Sequence, residues 1–306
     1  MAGITGKDEV LTRYALQLET LEAPKGRSLT QDAIRRLTRN KAAVVSIVLV
    51  LLIIVTAFVG PYFVPWGYAE VDWTAIRKPP DFSKAHYFGT DQNGRDMLAR
   101  VLQGTQMSLI VAAVATVVSV VIGIIYGAVA GYFGGRVDAV MMRIVDIMYA
   151  LPYILFVIIL VVMFGRNPVL LFVGIGAIEW LTMARIVRGQ TLTLKEREFV
   201  EAARAGGAKP WTIITRHIVP NLTGPVVIYA TLTIPEIIIA ESFLSYLGLG
   251  VQEPQTSLGT LIAAGAPIAE VLPWMLLVPA GVLVTLLLCL TYIGDGLRDA
   301  LDPKDR

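Results

Sequence analysis

The chain has 306 residues, of which 55% are hydrophobic and 16% are charged, and its mean hydropathy is +0.66. A soluble domain of this length carries about a quarter charged residues, so the composition excludes an ordinary water-soluble domain and favours a membrane protein. The net charge of +2 says little about partners. We expect no nucleic-acid partner, because the charged helical stretch at 198–221 lies between two apolar blocks and is tethered too close to the bilayer to bind DNA.

Long apolar blocks, rather than an amphipathic period, organise the chain. A helix needs about 20 mostly apolar residues to cross the hydrocarbon core of a bilayer. The blocks therefore predict an all-α membrane protein with six transmembrane helices, near 42–63, 107–133, 147–165, 168–186, 222–247 and 272–293. The residues 42–293 form one transmembrane domain in this interpretation.

Lys and Arg are distributed unevenly between the segments that join these helices. They concentrate in residues 1–41, in the loops after the second and fourth spans, and in the tail 294–306. Because cytoplasmic loops are rich in Lys and Arg, we expect both termini and the loop 187–221 to be cytoplasmic, and the loop 64–106 to be extracytoplasmic.

The N-terminal segment contains one short amphipathic stretch, SLTQDAIRRLTRNK, from Ser28 to Lys41. It predicts an interfacial helix whose basic side chains lie near anionic lipid headgroups. The alternative is a solvated basic flank with no specific contact to the membrane.

The extracytoplasmic loop turns between Gly89 and Gly94 and then becomes helical. His86, Asp91 and Asp96 in this region offer a cation site in principle. Turn-forming and helix-capping roles are the favoured interpretation of the two acids.

The second span carries Gly123, Gly127, Gly131 and Gly135, each four residues apart. Small residues at that spacing line one helix face and allow a second backbone to approach closely, so they predict a helix seam. The neighbouring helix could belong to this chain or to another.

Three acids fall at membrane depth, namely Glu179, Glu236 and Glu241. Such groups usually face a bundle interior, a water-filled cavity or a partner group. Glu236 and Glu241 project roughly 140° apart on a helix. One hypothesis makes Glu236, Glu241 and Ser245 the lining of a translocation path or a proton relay, and the other makes the acids structural. For Glu179 the structural role is favoured.

Motifs of catalysis are absent from the sequence. It has no GxxxxGK[ST] phosphate loop, no GxSxG and no HExxH, and its two histidines, His86 and His217, fall on opposite sides of the expected topology. We therefore expect no catalytic residue, no metal site and no cofactor in this chain, and a conduit or receptor rather than an enzyme.

The stretch EFVEAARAGGAKPWTIITRHIVPN, residues 198–221, is charged and helix-forming although it lies between two apolar spans. Thr193 and Glu196 have capping-box spacing, which predicts a helix from about Leu194 to Ala205. Gly207 suits a helix end, and Pro210 suits the first turn of a second helix. The result is a compact helical hairpin that could carry a push between a soluble partner and the membrane. A short loop that binds nothing is the alternative.

The hairpin resembles the EAA loop in permease subunits of ATP-binding-cassette importers. The resemblance rests on Glu201-Ala202-Ala203, Gly207 and Val219-Pro220. His217 stands where the family usually has Ile. Five blocks, one of them from the hairpin itself, are similar to the dipeptide, oligopeptide and nickel branch of that family, and most of all to its C-type oligopeptide permeases: HYFGTDQNGRD (86–96), MARIVRGQTL (183–192), EFVEAARAGG (198–207), ESFLSYLGLG (241–250) and GDGLRDALDPKDR (294–306).

This resemblance implies a type I ABC importer permease fold in a bacterial inner membrane, with oligopeptides as cargo. It implies a second permease subunit as heterodimer partner, two cytoplasmic ATPase subunits that bind ATP and Mg, and an extracytoplasmic peptide-binding protein. The expected ATPase contact consists of Glu201, Ala202, Ala203, Arg204, Gly207 and Pro210. The competing hypothesis is a proton-coupled peptide or solute carrier that uses Glu236 and Glu241.

Overall fold

The structure is a computed structural model, and it describes residues 29–164 and 168–301. The described part is helical, with only three isolated β-bridges, all between residues 71 and 96. Its α-helices are α1 (Leu29–Arg39), α2 (Lys41–Val59), α3 (Met97–Phe133), α4 (Gly135–Ala150), α5 (Tyr153–Phe164), α6 (Pro168–Leu194), α7 (Glu198–Ala205), α8 (Pro210–Ile213), α9 (Thr223–Tyr246), α10 (Leu258–Gly265) and α11 (Trp274–Leu301).

Four helical stretches in the described ranges are long and apolar enough to cross a membrane. They are Lys41–Tyr62, Met97–Phe133, Pro210–Tyr246 and Trp274–Leu301. They include the predicted first, second, fifth and sixth spans. The predicted third and fourth spans correspond to α5 and α6, and the residues between these helices lie outside the described ranges. Six spans and cytoplasmic termini therefore stay predictions, as does the structure of most of 1–41 and of the tail beyond residue 301.

The predicted third span, 147–165, is not one helix. Helix α4 ends at Ala150 and α5 begins at Tyr153, with Leu151 in an extended conformation between them. Leu151 precedes Pro152, and the proline ring disfavours the helical conformation of the residue before it. The apolar block thus begins inside one helix and continues in the next.

The interior of the described bundle is formed by α2, α3, α6, α9 and α11. One apolar core joins these helices, with Val111, Ile175, Ile237, Leu244 and Leu286 among its buried members. Helices α1 and α2 both pack against the C-terminal part of α11, since a Cβ atom at Gly296 would lie 3.3 Å from Leu37 of α1 and 2.6 Å from the Cβ of Ala43 in α2. The interfacial role of α1 is not tested by this packing.

Candidate functional site

The hairpin between α6 and α9 begins later than the sequence predicts. Helix α6 continues to Leu194, and α7 begins at Glu198 after a turn. Thr193 lies inside α6, and its hydroxyl donates to the carbonyl oxygen of Gly189 at 3.4 Å instead of capping a new helix. Such bonding to the preceding turn competes with capping, so the prediction of a helix start at Leu194 is wrong.

The end of α7 is closed by a Schellman motif. The amide of Ala208 donates to the carbonyl of Ala203 at 3.0 Å, and the amide of Gly207 donates to that of Arg204 at 3.0 Å. Gly207 has φ +77°, a left-handed conformation that glycine adopts without strain. Pro210 then opens α8 at its first turn, as the sequence predicts.

The inner face of the hairpin is anchored to the bundle. Val200, Ile213, Ile214 and Ile218 are buried in one apolar cluster. The same cluster contains Ala128 of α3, Met183 and Val187 of α6, and Leu222 and Val226 next to or in α9. Because packed side chains of this kind do not slide freely, a force on the hairpin reaches three long helices directly.

The outer face of the hairpin is exposed. Glu201, Ala202, Arg204, Gly207 and Pro210 are all exposed, and Ala203 is half-buried. Two further large side chains of the hairpin are exposed, Phe199 (40%) and Trp211 (58%), and the predicted ATPase contact includes neither of them. Their residue type did not distinguish them from the apolar residues that are buried in the same hairpin, such as Val200 and Ile213.

The second half of the hairpin continues into α9 without a break. Helix α8 passes into a π-helical turn at Ile214–Ile218, then into a 3₁₀ turn at Val219–Leu222, and then into α9. The whole stretch Pro210–Tyr246 has 37 residues. Turns of π-helix occur mostly as single insertions within α-helices and often lie at functional sites.

The glycine seam of α3 has its neighbour in the same chain. A Cβ atom at Gly123 would lie 2.5 Å from Met183, one at Gly127 would lie 2.4 Å from the carbonyl oxygen of Ala184, and one at Gly131 would lie 2.7 Å from Thr191. All three contacts are with α6. Gly135 lies outside this seam, because α3 ends at Phe133 and Gly135 begins α4 with nothing within 4 Å of its position.

Glu236 and Glu241 lie on different sides of α9, as their spacing along the helix predicts. Glu241 is fully buried, whereas Glu236 is exposed. The hydroxyls of Ser245 and Ser108 donate to the Glu241 carboxyl at 2.6 and 3.2 Å. The hydroxyl of Ser257 donates to Ser245 at 3.2 Å. Glu241 and Ser245 thus join α9 to α3 and to the start of α10, and of the three candidate path residues only Glu236 has a side chain on the surface of this chain.

The candidate cation ligands in the extracytoplasmic loop form turns and caps. Asp96 accepts from the amide of Ala99 at 2.8 Å and caps α3, and Asp91 accepts from the amide of Asn93 at 2.8 Å. The Nδ1 atom of His86 lies 2.9 Å from Asp96. No group of metal-ligating side chains occurs in residues 29–164 and 168–301.

Ion pairs connect the extracytoplasmic loop 64–96 to the segment between α9 and α10. Asp91 binds Arg95 at 2.8 Å and also pairs with Arg100, and Arg95 reaches Glu253 at 2.7 Å. Burial raises the pKa of Asp91, but the amide of Arg95 and the charges of Arg100 and Arg95 outweigh it and hold that pKa below its usual value. The hydrogen bond from Arg95 lowers the pKa of Glu253. Both carboxylates therefore stay charged at neutral pH.

A second pair of ionic contacts ties α4 to α6. The guanidinium of Arg188 binds both carboxylate oxygens of Asp138, at 2.5 and 2.6 Å, and this hydrogen bonding lowers the pKa of Asp138. Arg185 lies 2.8 Å from Asp146 and 4.1 Å from the ring centre of Tyr149. The sequence did not predict these ion pairs. Asp138 and Arg188 lie 50 residues apart, and no local charge pattern indicates that they pair.

Two family models match most of the chain. A family model described as a binding-protein-dependent transport system inner membrane component matches residues 119–306. A second, described as the N-terminal TM domain of oligopeptide transport permease C, matches residues 28–80.

Curated relatives and a solved structure agree with these models. The chain is 53% identical to the oligopeptide transport system permease protein OppC of Escherichia coli K12 over 97% of each chain. It is 43% identical to the OppC protein of Bacillus subtilis over 92% of each chain, and 44% identical to the dipeptide transport system permease protein DppC of that organism over 91% of this chain and 87% of the relative. The inward-facing MetNI methionine ABC transporter aligns with a TM-score of 0.55 at 20% identity, over 67% of this chain and 98% of that chain, which is a likeness of fold alone.

Proposed function

Since this chain belongs to the binding-protein-dependent transport system inner membrane components, and among them to the C-type oligopeptide permeases, we propose that it is the permease subunit of an ATP-driven oligopeptide importer. The observation that carries the proposal is 53% identity to an oligopeptide permease over 97% of both chains. The protein is a multi-pass component of a bacterial inner membrane.

In this proposal the chain crosses the membrane six times with both termini in the cytoplasm. It forms half of the translocation path, and a second permease subunit forms the other half. The uneven distribution of Lys and Arg supports the orientation. The likeness to a methionine ABC transporter supports a type I importer fold.

The hairpin is the proposed contact with the ATPase subunits, which would bind ATP and Mg. Its outer face offers Glu201, Arg204 and the apolar rings of Phe199 and Trp211 to a partner, while its inner face is locked into the bundle. A partner that binds ATP can change the state of the permease only if it binds the two states with different affinity. A rigid hairpin with one free face and one anchored face suits that transfer.

The extracytoplasmic face is the proposed receiver of the peptide-binding protein. Loop 64–96 and the segment before α10 are held together there by the pair Arg95–Glu253. Glu236 remains the candidate side chain for the translocation path, because it is exposed at membrane depth.

The proton-coupled carrier is the competing proposal. It needs at least one intramembrane acid that exchanges protons with water. Glu241 is buried and accepts from Ser245 and Ser108, which supports a structural role for that acid, so the carrier would depend on Glu236.

The first test is gentle purification of the chain from its membrane, followed by mass spectrometry of the proteins that accompany it. We expect a second permease subunit and two ATPases. Uptake of a labelled short peptide is then measured in two conditions, with the proton gradient collapsed at constant ATP and with ATP depleted at constant gradient. Loss of uptake only when the gradient collapses would overturn the importer proposal in favour of the carrier.

A further inference from the structure

A cavity lined by aromatic rings lies where α2 ends and α3 begins. Its volume is about 410 Å³, and its lining includes Phe58, Tyr62, Trp66 and Tyr68 on one side and Gln103 and Gln106 of α3 on the other. No Lys or Arg side chain is among its lining residues. The proposed ATPase contact does not use this cavity, although Trp66 and Tyr68 belong to the loop that is proposed above to receive the peptide-binding protein.

Two of the lining side chains, Trp66 and Gln106, are held by contacts outside the cavity. The ring of Trp66 stacks on His86 with the ring centres 4.7 Å apart, and its indole N–H donates to the carbonyl oxygen of Lys84 at 3.2 Å. The side-chain amide of Gln106 donates to the carbonyl oxygen of Ala57 at 2.6 Å, which leaves its own carbonyl oxygen as an acceptor. These two side chains are therefore in position before any ligand enters.

A carboxylate lies at the rim. Glu70 accepts from the amide of Gly67 at 3.0 Å, and Gly67 is part of the cavity wall. Glu70 is exposed, so its charge faces solvent beside the opening. Four electron-rich rings, an amide oxygen and a nearby carboxylate all attract a cation, and aromatic cages of this kind bind organic ammonium groups.

The position of the cavity indicates where such an ammonium comes from. Along α2, one apolar face is exposed over several turns, as at Val48, Leu52 and Val55, and Phe58 continues that face into the cavity wall. Tyr62 follows directly after this stretch and is 87% exposed. Because Trp and Tyr are enriched at membrane–water interfaces, we infer that this end of α2 lies at the level of the lipid headgroups.

From this geometry we propose that the cavity binds the ammonium headgroup of an ethanolamine phospholipid at the membrane boundary where α2 ends. The rings of Tyr62, Trp66 and Tyr68 surround the ammonium, Glu70 complements its charge, and the acyl chains follow the exposed face of α2. A glycerol headgroup lacks the ammonium and does not satisfy this site. The proposal is independent of the cargo and of the energy source for transport.

The test counts lipids that stay bound to the protein. The full chain, in the complex that it forms, is reconstituted into nanodiscs with equal amounts of phosphatidylethanolamine and phosphatidylglycerol, and native mass spectrometry measures the retained lipid of each class. Tyr62→Leu keeps an apolar side chain but removes the ring face. Glu70→Gln removes the charge but keeps an acceptor for Gly67. Each is expected to lower retained phosphatidylethanolamine about two- to fivefold, the range for one cation–π or exposed charge contact, with phosphatidylglycerol unchanged.

The matched control is Phe82→Leu. Phe82 is an aromatic residue of the same loop, is 79% exposed and does not line the cavity. Its variant should retain both lipids as the unaltered protein does. Equal retention of phosphatidylethanolamine in all three variants, or a parallel loss of both lipids, would refute the headgroup site.

A competition arm distinguishes the lipid from a free ammonium compound. Ethanolamine phosphate and a short peptide with a free N-terminus are added separately at millimolar concentration. Displacement of phosphatidylethanolamine by ethanolamine phosphate supports the proposal. If the peptide binds in a Tyr62-dependent way and phosphatidylethanolamine does not, the ammonium belongs to a peptide and the lipid proposal is wrong. If Tyr62→Leu instead releases a second permease subunit without changing bound lipid, the cavity is part of a subunit contact and the proposal is equally wrong.

Discussion

Gly127→Ala is expected to separate α3 from α6 and to destabilise the protein. The added Cβ atom would lie 2.4 Å from the carbonyl oxygen of Ala184, 2.8 Å from the Cβ of Val187 and 2.9 Å from the amide nitrogen of Arg188. Real Cβ contacts are not shorter than 3.0 Å and ordinary contact begins at 3.4 Å, so the Cβ atom and this oxygen must move apart by about 0.6 to 1.0 Å. Two of the three obstacles are backbone atoms, which cannot turn away. Overpacking of a close interface costs about 1–3 kcal/mol.

The matched control lies on the partner helix. Gly189 of α6 has nothing within 4 Å of its Cβ position and is exposed. Gly189→Ala adds the same methyl group within the same pair of helices and improves helix propensity. It should be neutral or should stabilise the protein by about 0.5–1 kcal/mol.

The chain contains a reporter for this measurement. Its only cysteine, Cys289, is buried in α11. A thiol-reactive dye therefore becomes fluorescent as the purified protein unfolds on heating, and the midpoint of that transition ranks the variants. For Gly127→Ala we expect a midpoint several degrees below that of Gly189→Ala. Equal midpoints for the two variants would refute the claim that the seam is closed at Gly127.

Three further predictions concern the hairpin, the extracytoplasmic ion pairs and the buried acid. Gly207→Ala should reduce peptide uptake at normal expression, because the left-handed conformation costs alanine about 1–2 kcal/mol, whereas Gly206→Ala, at φ −72°, should transport normally. Since the pKa of Glu253 is lowered in the folded protein, its contribution to stability is present above its usual pKa and is lost as the pH falls through the lowered value. Glu253→Gln should thus lower the thermal midpoint at pH 7, by the equivalent of about 1 kcal/mol or less, and the difference should shrink below about pH 4.5. Glu241→Gln should keep both fold and uptake, whereas Glu241→Leu leaves Ser108 and Ser245 without an acceptor and should lower the midpoint; loss of uptake in a stable Glu241→Gln variant would point to proton transfer.

The membrane class and the glycine seam could be read from the sequence because their signals are local. An uncharged block about 20 residues long and a small residue at every fourth position each describe a single helix. The seam prediction failed at Gly135 for a local reason too: the chain leaves α3 at Phe133, and a spacing rule does not detect the end of a helix.

Rules that describe a single helix cannot predict contacts between segments that are far apart in the sequence. Glu253 lies 158 residues from Arg95, and Asp138 lies 50 residues from Arg188. Nothing in one sequence states which charges meet when the pairing depends on how the helices pack. For the same reason, the sequence did not show which helix packs against the glycine seam or whether Glu241 is buried. Both answers came from the structure.

The continuity of Pro210–Tyr246 has a mechanical consequence. A helical stretch of 37 residues is about 55 Å long. The hairpin and the buried carboxyl of Glu241 therefore lie near opposite ends of the same continuous helical stretch. Pro220 and Pro235 each lack an amide donor, so this stretch bends most easily at these two positions, where its hydrogen bonding is interrupted. When the hairpin end of this stretch is displaced, we therefore expect the part of α9 around Glu241 to tilt rather than to shift along the helix axis.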